Sequence, residues 1–285
     1  MDKPLISVII PAHNSENTLS AAVDSILNQT YPNVEIIIVD DNSTDDTRKV
    51  AHKIATRNLR VRYFALPFDD PRRYNKQGRN VNAGYSARNY GLEKVNGEWI
   101  TFQDADDVSL KNRIEAEYIL AERYQSNHIC VQWCKLTDER KNMSFDFEEA
   151  LREHPHIVTT SKEITKLARR TRGIAMKLLG RGRKLIPFNV KTMRVINKLF
   201  FASLDSYPGS GNSPLFKREV IALVKFRQMD ERVWPSFTGR GADRDFNFQI
   251  AETFGKSITV ELPLYLWGVN RENTISYDFE KYFLP

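Results

Sequence analysis

Three carboxylates fall within four residues at Asp104-Ala105-Asp106-Asp107, directly after the aromatic and β-branched run Trp99-Ile100-Thr101-Phe102-Gln103. Like charges that close repel, so a cation or a dense set of donors must compensate them. Asp104 and Asp106 stand at i and i+2 past a strand end, where both can converge on one hard, oxygen-preferring cation. The carboxyl ends of strands are also where open α/β sheets bind ligands. The competing reading is a solvated acidic turn in which Asp107 caps a helix starting near Leu110.

The elements before this stretch alternate. Leu5–Ile10 is a nearly continuous apolar run, which reads as a buried parallel strand, and Val34–Val39 is a second. Val61–Phe64 is a third. Helices are predicted after the first two, one capped by Ser15 or Thr18 with Leu19, Val23, Ile26 and Leu27 on one face, the other capped by Ser43 or Thr44 and running to about Arg57. A polar loop rich in Arg and Asn, Pro67–Asn82, precedes a further helix over Gly84–Lys94. Strand and helix in alternation give an α/β fold, a mostly parallel sheet with right-handed crossovers. Each strand end carries polar groups: His13 and Asn14, Asp40 and Asp41, Asp104 and Asp106. Together they suggest a nucleotide crevice. No glycine-rich phosphate loop follows the first strand, so phosphates are left to bound metal and the basic loop.

No apolar run approaches the roughly 20 residues that span a bilayer, and the first residues lack the core of a signal peptide. A cytoplasmic protein is expected. Cys130 and Cys134 are the only cysteines. On one strand they would lie about 13 Å apart, beyond the roughly 7 Å a disulfide tolerates, so buried reduced thiols are expected. The formal charge of +6 is uneven: Lys162 to Lys198 holds twelve Lys and Arg against the single acid Glu163. The rest of the chain is therefore net acidic. Ser161–Leu179 reads as a helix with Ile164, Leu167, Ile174 and Leu178 on one face and Lys166, Arg169, Arg170, Arg172 and Lys177 on the other. It is either a solvated helix packed on the domain or an interfacial helix drawn to anionic lipid or glycan.

Five runs, in order, resemble family 2 glycosyltransferases of the GT-A fold: Ser7–Asn14, Ser25–Pro32, Glu35–Asp45, Ala87–Gly91 and Asp104–Asp107. The resemblance covers about the first 125 residues. It implies a Rossmann-like sheet in which residues 1–125 bind a nucleotide sugar and 126–285 form the acceptor half of the same domain, with a divergent basic helical insertion over about 138–204. It implies that Pro11, Ala12, His13 and Asp41 border the base and ribose, that Asp104 and Ala105 contact the nucleotide, and that Asp106 binds Mg2+ or Mn2+ on the diphosphate. Arg88 falls in the family's Ala-Arg-Asn run as a nucleotide contact; the structural alternative is Arg88 paired to an acid and Asn89 bonding a loop.

Ser213–Val220 resembles the strand and helix following the family's acceptor site, and Phe237–Phe246 opens a helix through Phe254. Where the family usually has a Glu-Asp pair, this chain has Ala242 and Asp243, so Asp243 matches the catalytic base and Asp245 is the fallback. Ser257–Val260 reads as a late strand, and Tyr265–Ser276 resembles the closing loop, in which Arg271 would contact the diphosphate.

Sugar transfer requires a cation to stabilise the departing diphosphate and a base to take the acceptor proton. A single base opposite the leaving group gives inversion. The expectation is thus an inverting, metal-dependent glycosyltransferase using a UDP-sugar, with a surface polysaccharide or lipid-linked glycan as acceptor and a possible anionic membrane contact through 162–198. A sugar-nucleotide nucleotidyltransferase would need a glycine- and arginine-rich loop after the first strand, which Pro11–Asn14 does not provide. A nucleic-acid or other anionic-polymer binder would explain the basic segment but not the acidic strand ends, so no nucleic-acid partner is expected.

Overall fold

The structure, a computed structural model, describes residues 3–70, 73–74, 84–171, 187, 190, 193, 207–209, 211–228, 231–232 and 241–268. The chain begins β1 (Ile6–Ala12), α1 (Leu19–Leu27), β2 (Val34–Asp40), α2 (Thr47–Arg57), β3 (Val61–Ala65), α3 (Tyr85–Leu92) and β4 (Trp99–Phe102). It continues through β5 (Val108–Ser109), α4 (Arg113–Arg123), β6 (His128–Lys135), α5 (Phe147–Glu153), β7 (Val158–Thr159) and α6 (Ser161–Thr171). The later elements are β8 (Leu215–Lys217), α7 (Ala242–Phe254) and β9 (Ser257–Trp267).

These strands form one sheet of order β3-β2-β1-β4-β8-β6-β9-β5, with β7 beside β9. β3, β2, β1 and β4 are mutually parallel, as are β6 and β9; β8 runs against both β4 and β6. β2 is buried along its whole length, as a strand covered on both faces must be. Its mid-strand acid, Glu35, is tolerated because Ser7 Oγ donates to it at 2.6 Å, Asn96 N at 2.7 Å and Arg62 Nη1 at 3.1 Å. One face of the sheet packs Leu19, Val23 and Ile26 of α1 and Ile114 and Leu120 of α4. The other carries α3 and α7 on Phe102, Phe216, Phe226 and Phe246.

Several local expectations change. Thr18 stands at the start of α1 but forms no side-chain cap, and α2 begins at Thr47, where Asp45 rather than Ser43 or Thr44 accepts the free backbone N–H at 3.0 Å. Asp107 does not cap α4, which begins at Arg113; Val108–Ser109 intervenes as a strand paired with β9. β9 continues past Val260 to Trp267, so Tyr265–Trp267 is strand rather than loop. Exposed Glu261 and Pro263 hide this in the sequence, because proline cannot donate to a ladder. Irregular register opposite Gln132 absorbs it. Cys130 is buried and Cys134 only half-buried; both are free thiols.

Of the basic segment, 162–171 and the single residues 187, 190 and 193 are described; the rest of the helix expected over Ser161–Leu179, with Arg172, Ile174, Lys177 and Leu178, lies outside the described residues. Ile164 and Ala168 are buried against Cys130, Phe248 and Ala251. The apolar stripe of α6 is therefore occupied by its own domain, and Lys162, Lys166, Arg169 and Arg170 are exposed. No described helix is long and apolar enough to cross a membrane.

Candidate active site

β4 delivers the acidic turn. Gln103 N donates to Ile9 O at 3.0 Å, so the chain leaves the sheet beside the end of β1, and Asp107 N closes the turn on Asp104 O at 3.2 Å. Ligand oxygens of Asp104, Asp106 and Asp107 lie within 4.8 Å of one another. The three carboxylates are not equivalent. Asp104 Oδ1 accepts from Arg88 Nη2, and Oδ2 from Asn212 Nδ2 at 2.8 Å. Asp107 Oδ1 accepts from Gly268 N at 2.7 Å, and Oδ2 from the Tyr265 hydroxyl at 2.7 Å. Asp106 is the exposed member. Burial, with the charges of Asp104 and Asp106 added, pushes the Asp107 carboxyl up to about 8. Three carboxylates this close, with two of them fixed by buried donors, fit a hard divalent cation such as Mg2+ or Mn2+.

The ends of β1 and β2 adjoin this turn. His13 Nδ1 lies 2.7 Å from Asp41 O, and Asn14 Oδ1 accepts from Thr44 N at 2.8 Å, so the two loops are stapled together. Ala12 is buried and Pro11 half-buried, and Ala105 turns its methyl into the core. Asp41 is buried and accepts from both Nη atoms of Arg73, also buried. Sequence reasoning saw only a basic loop there; nothing in its spacing singles out Arg73. Gly84 sits at φ +70°, and a Cβ on it would meet Arg88 Nη1 at 3.0 Å and Pro11 Cβ at 3.4 Å. Glycine thus lets the start of α3 approach β1 closely.

α3 brings in Arg88, which is buried and paired with Asp104. Its guanidinium lies over the Phe102 and Phe226 rings, 5.8 and 5.6 Å from their centroids. Asn89 Nδ2 donates to Phe226 O at 2.8 Å while its Oδ1 accepts from Phe226 N at 3.0 Å. Both residues therefore follow the structural alternative, Arg88 paired to an acid and Asn89 holding a loop.

Asp243 lies in the first turn of α7, after Gly241 at φ +93°. It is buried deeply enough that its carboxyl is pushed up, with Asp104 adding to the shift and Arg88 and Arg232 opposing it. Its Oδ1 accepts no hydrogen bond among the described residues. Asp245, two residues on, accepts from Arg227 Nε at 2.8 Å, Arg227 Nη2 at 2.6 Å and Gln249 Nε2 at 3.0 Å. The fallback residue is thus bound in a structural ion pair. Asn212 and Gly268 were not singled out by sequence reasoning, and Tyr265 was read only as loop. Asn212 lies one residue before the recognised Ser213 run. Arg271 lies outside the described residues.

The model of the family described as glycosyl transferase family 2 matches residues 7–201, over half of the chain. The chain belongs to this family. As a family 2 member it has relatives in several bacteria. An uncharacterized glycosyltransferase of Haemophilus influenzae is 33% identical over 170 residues, covering 59% of this chain and 57% of that one. The UDP-Glc:alpha-D-GlcNAc-diphosphoundecaprenol beta-1,3-glucosyltransferase WfgD of Escherichia coli is 34% identical over 117 residues, 41% of each. A GalNAc(5)-diNAcBac-PP-undecaprenol beta-1,3-glucosyltransferase of Campylobacter jejuni is 33% identical over 144 residues, covering 50% of this chain and 42% of that one. The chain thus spans about half the length of these relatives.

Two solved structures share the fold. Staphylococcus aureus TarS 1-349 in complex with UDP-GlcNAc superposes with TM-score 0.54 at 16% identity, over 94% of this chain and 59% of that one. A mannosyltransferase of Pyrobaculum calidifontis in complex with GDP-Man and Mn2+ gives TM-score 0.55 at 18% identity, over 95% and 59%. The family 2 chain has the GT-A fold its first five motifs implied, a central sheet flanked by helices.

Proposed function

We propose that this chain is an inverting, metal-dependent glycosyltransferase that moves a sugar from a UDP-sugar to a hydroxyl of a lipid-linked or surface glycan. The observation that supports it most is Asp243, half-buried, with its Oδ1 buried and without a donor among the described residues, which shares the influence of one guanidinium, Arg88, with the acidic turn. A base needs an open lone pair and a raised pKa, and a leaving diphosphate needs positive charge nearby. Asp243 would meet the first requirement and a cation at the acidic turn the second.

In this reading Pro11, Ala12, His13 and Asp41 border the base and ribose, with Arg73 fixing Asp41. Asp104 and the main chain of Ala105 contact the nucleotide, and Arg271 contacts the diphosphate. Arg88 works through Asp104, whose carboxylate it orients. Asp106, the exposed carboxylate, holds the cation, with Asp104 and Asp107 beside it. A bound Mg2+ or Mn2+ supplies the positive charge that the departing diphosphate needs. The acceptor hydroxyl gives its proton to the Asp243 carboxylate as its oxygen attacks the anomeric carbon and the bond to the diphosphate breaks. A single base facing the leaving group yields inversion.

The undecaprenol-linked acceptors in the names of the Escherichia coli and Campylobacter jejuni relatives support a lipid-linked glycan. Such an acceptor is held at a membrane, and this chain would reach it from the cytoplasmic side through the exposed basic face of α6. Nucleotide sugars offered one at a time with Mn2+ and a polyprenyl diphosphate-linked glycan test the reading. UDP release together with a product of inverted anomeric configuration, read by NMR, is the expected result. Retention, or release of pyrophosphate from a sugar phosphate and UTP, would overturn it.

A further inference from the structure

Between the acidic turn and α7 stands a short segment, Gly211-Asn212, that touches both. Asn212 Nδ2 donates to Asp104 Oδ2 at 2.8 Å and lies 3.3 Å from the Tyr265 hydroxyl. One residue earlier, Gly211 O accepts from Asn247 Nδ2 at 2.8 Å. That bond fixes which way the Asn247 amide faces, so its Oδ1 is the atom 3.1 Å from His128 Nε2. His128 therefore carries its proton on Nε2 and accepts on Nδ1 from Ser257 Oγ at 2.9 Å. His128 and Asn247 are both fully buried. Asn247 is one helical turn beyond Asp243 on α7, so both point from the same face. A Cβ on Gly211 would come within 3.1 Å of Asp243 Cβ. The segment is thus pressed against the residue proposed as base and held by a hydrogen bond from that same helix.

We propose that Asn212 is a positioning residue that sets the Asp104 carboxylate for metal and nucleotide binding, and that the buried His128–Asn247 pair holds it in place. The inference rests on the functional reading above and deepens it: the donor-side carboxylates and the base-bearing helix are registered to each other through one amide side chain. Donors behind a metal-site carboxylate typically change metal affinity 10–100-fold when removed. Asn212 is the one side-chain donor to Asp104 Oδ2 among the described residues, so its loss frees that oxygen to rotate away.

Mn2+ binding in the presence of UDP, read by the free-Mn2+ electron paramagnetic resonance signal, tests this without turnover. Asn212→Ala and the isosteric Asn212→Asp should each weaken Mn2+ binding about 10-fold or more while thermal unfolding shows them folded. Asn247→Ala should weaken it in the same direction, and the Asn212→Ala/Asn247→Ala pair should be no worse than the poorer single variant, since both act on one unit. Wild-type affinity in both Asn212 variants, or fully additive losses in the pair, overturns the inference while leaving the functional reading intact. Failure of the wild-type protein itself to bind Mn2+ with UDP overturns that reading and the inference together.

Discussion

Gly268 packs so tightly on Asp106 that a Cβ added to it would lie 2.0 Å from the Asp106 carbonyl oxygen. The same glycine donates its N–H to Asp107 Oδ1. The obstructing atom is backbone, so no side chain can swing away to make room. Gly268→Ala is expected to displace the acidic turn, with a cost of about 1–3 kcal/mol in urea unfolding and a marked loss of Mn2+ affinity. Wild-type values for both would show that the turn is not fixed by this contact.

Asp106→Asn removes one charged hard ligand from the acidic turn. Metal affinity and transfer rate should fall together, and added Mn2+ should recover part of the rate. Full activity in this variant, or in wild type with excess chelator, would remove the metal from the mechanism.

Asp243→Asn keeps the shape of the side chain and removes its basicity. Transfer should fall about 10²–10⁴-fold, with UDP binding nearly unchanged. Asp245→Asn should act differently, because Asp245 is bound by Arg227 and Gln249. Its loss leaves Arg227 underpaired, so thermal stability should drop more than kcat. A kinetic loss confined to Asp245→Asn would transfer the base assignment to that residue.

His128 is buried between Ser257 and Asn247, and burial pulls its imidazole down to about 3. The unfolded chain would titrate near 6.5. Below that value the unfolded state takes up a proton that the folded state refuses. This residue's contribution to stability is therefore complete above about pH 6.5 and is lost as pH falls toward 3, at up to about 1.4 kcal/mol per pH unit. Urea unfolding of wild type and His128→Gln between pH 5 and 7 measures the effect; the wild-type curve should fall more steeply. Parallel curves would mean that His128 protonates normally in the folded protein.

The apolar stripe of α6 is buried in the domain, so any membrane attraction must come from its charged face. Exchange of Lys162, Lys166, Arg169 and Arg170 for Gln should weaken sedimentation with anionic vesicles, since each such charge contributes about 1 kcal/mol near an anionic surface. The binding should fade as salt shortens the Debye length. Wild-type protein that stays in the supernatant at low salt would restrict this face to solvent or glycan.

Much of the first 125 residues was legible because local rules govern them. Short, β-branched apolar runs bounded by turn residues read as strands buried on both faces, and polar residues at their ends mark the crevice edge. The order of the five motifs carried the fold, and the spacing of Asp104, Asp106 and Asp107 carried the idea of a cation. Only the family resemblance told Asp104 from Asp106; which of the three carboxylates is held by donors and which stays exposed left no mark in the sequence. Asp104 is held by Arg88 and Asn212, from 16 and 108 residues away, and Asp107 by Tyr265 and Gly268, from 158 and 161. Partners at that separation leave no periodic trace, and β9 was itself obscured by Pro263. The same holds for Asp243 and Asp245: both begin a helix and both are acids, and only Arg227, docked from outside α7, separates the open carboxylate from the paired one. Residue types are thus a local property of the sequence, whereas burial and long-range donors, which exist only once the chain has folded, decide which carboxylates are paired and which stay exposed.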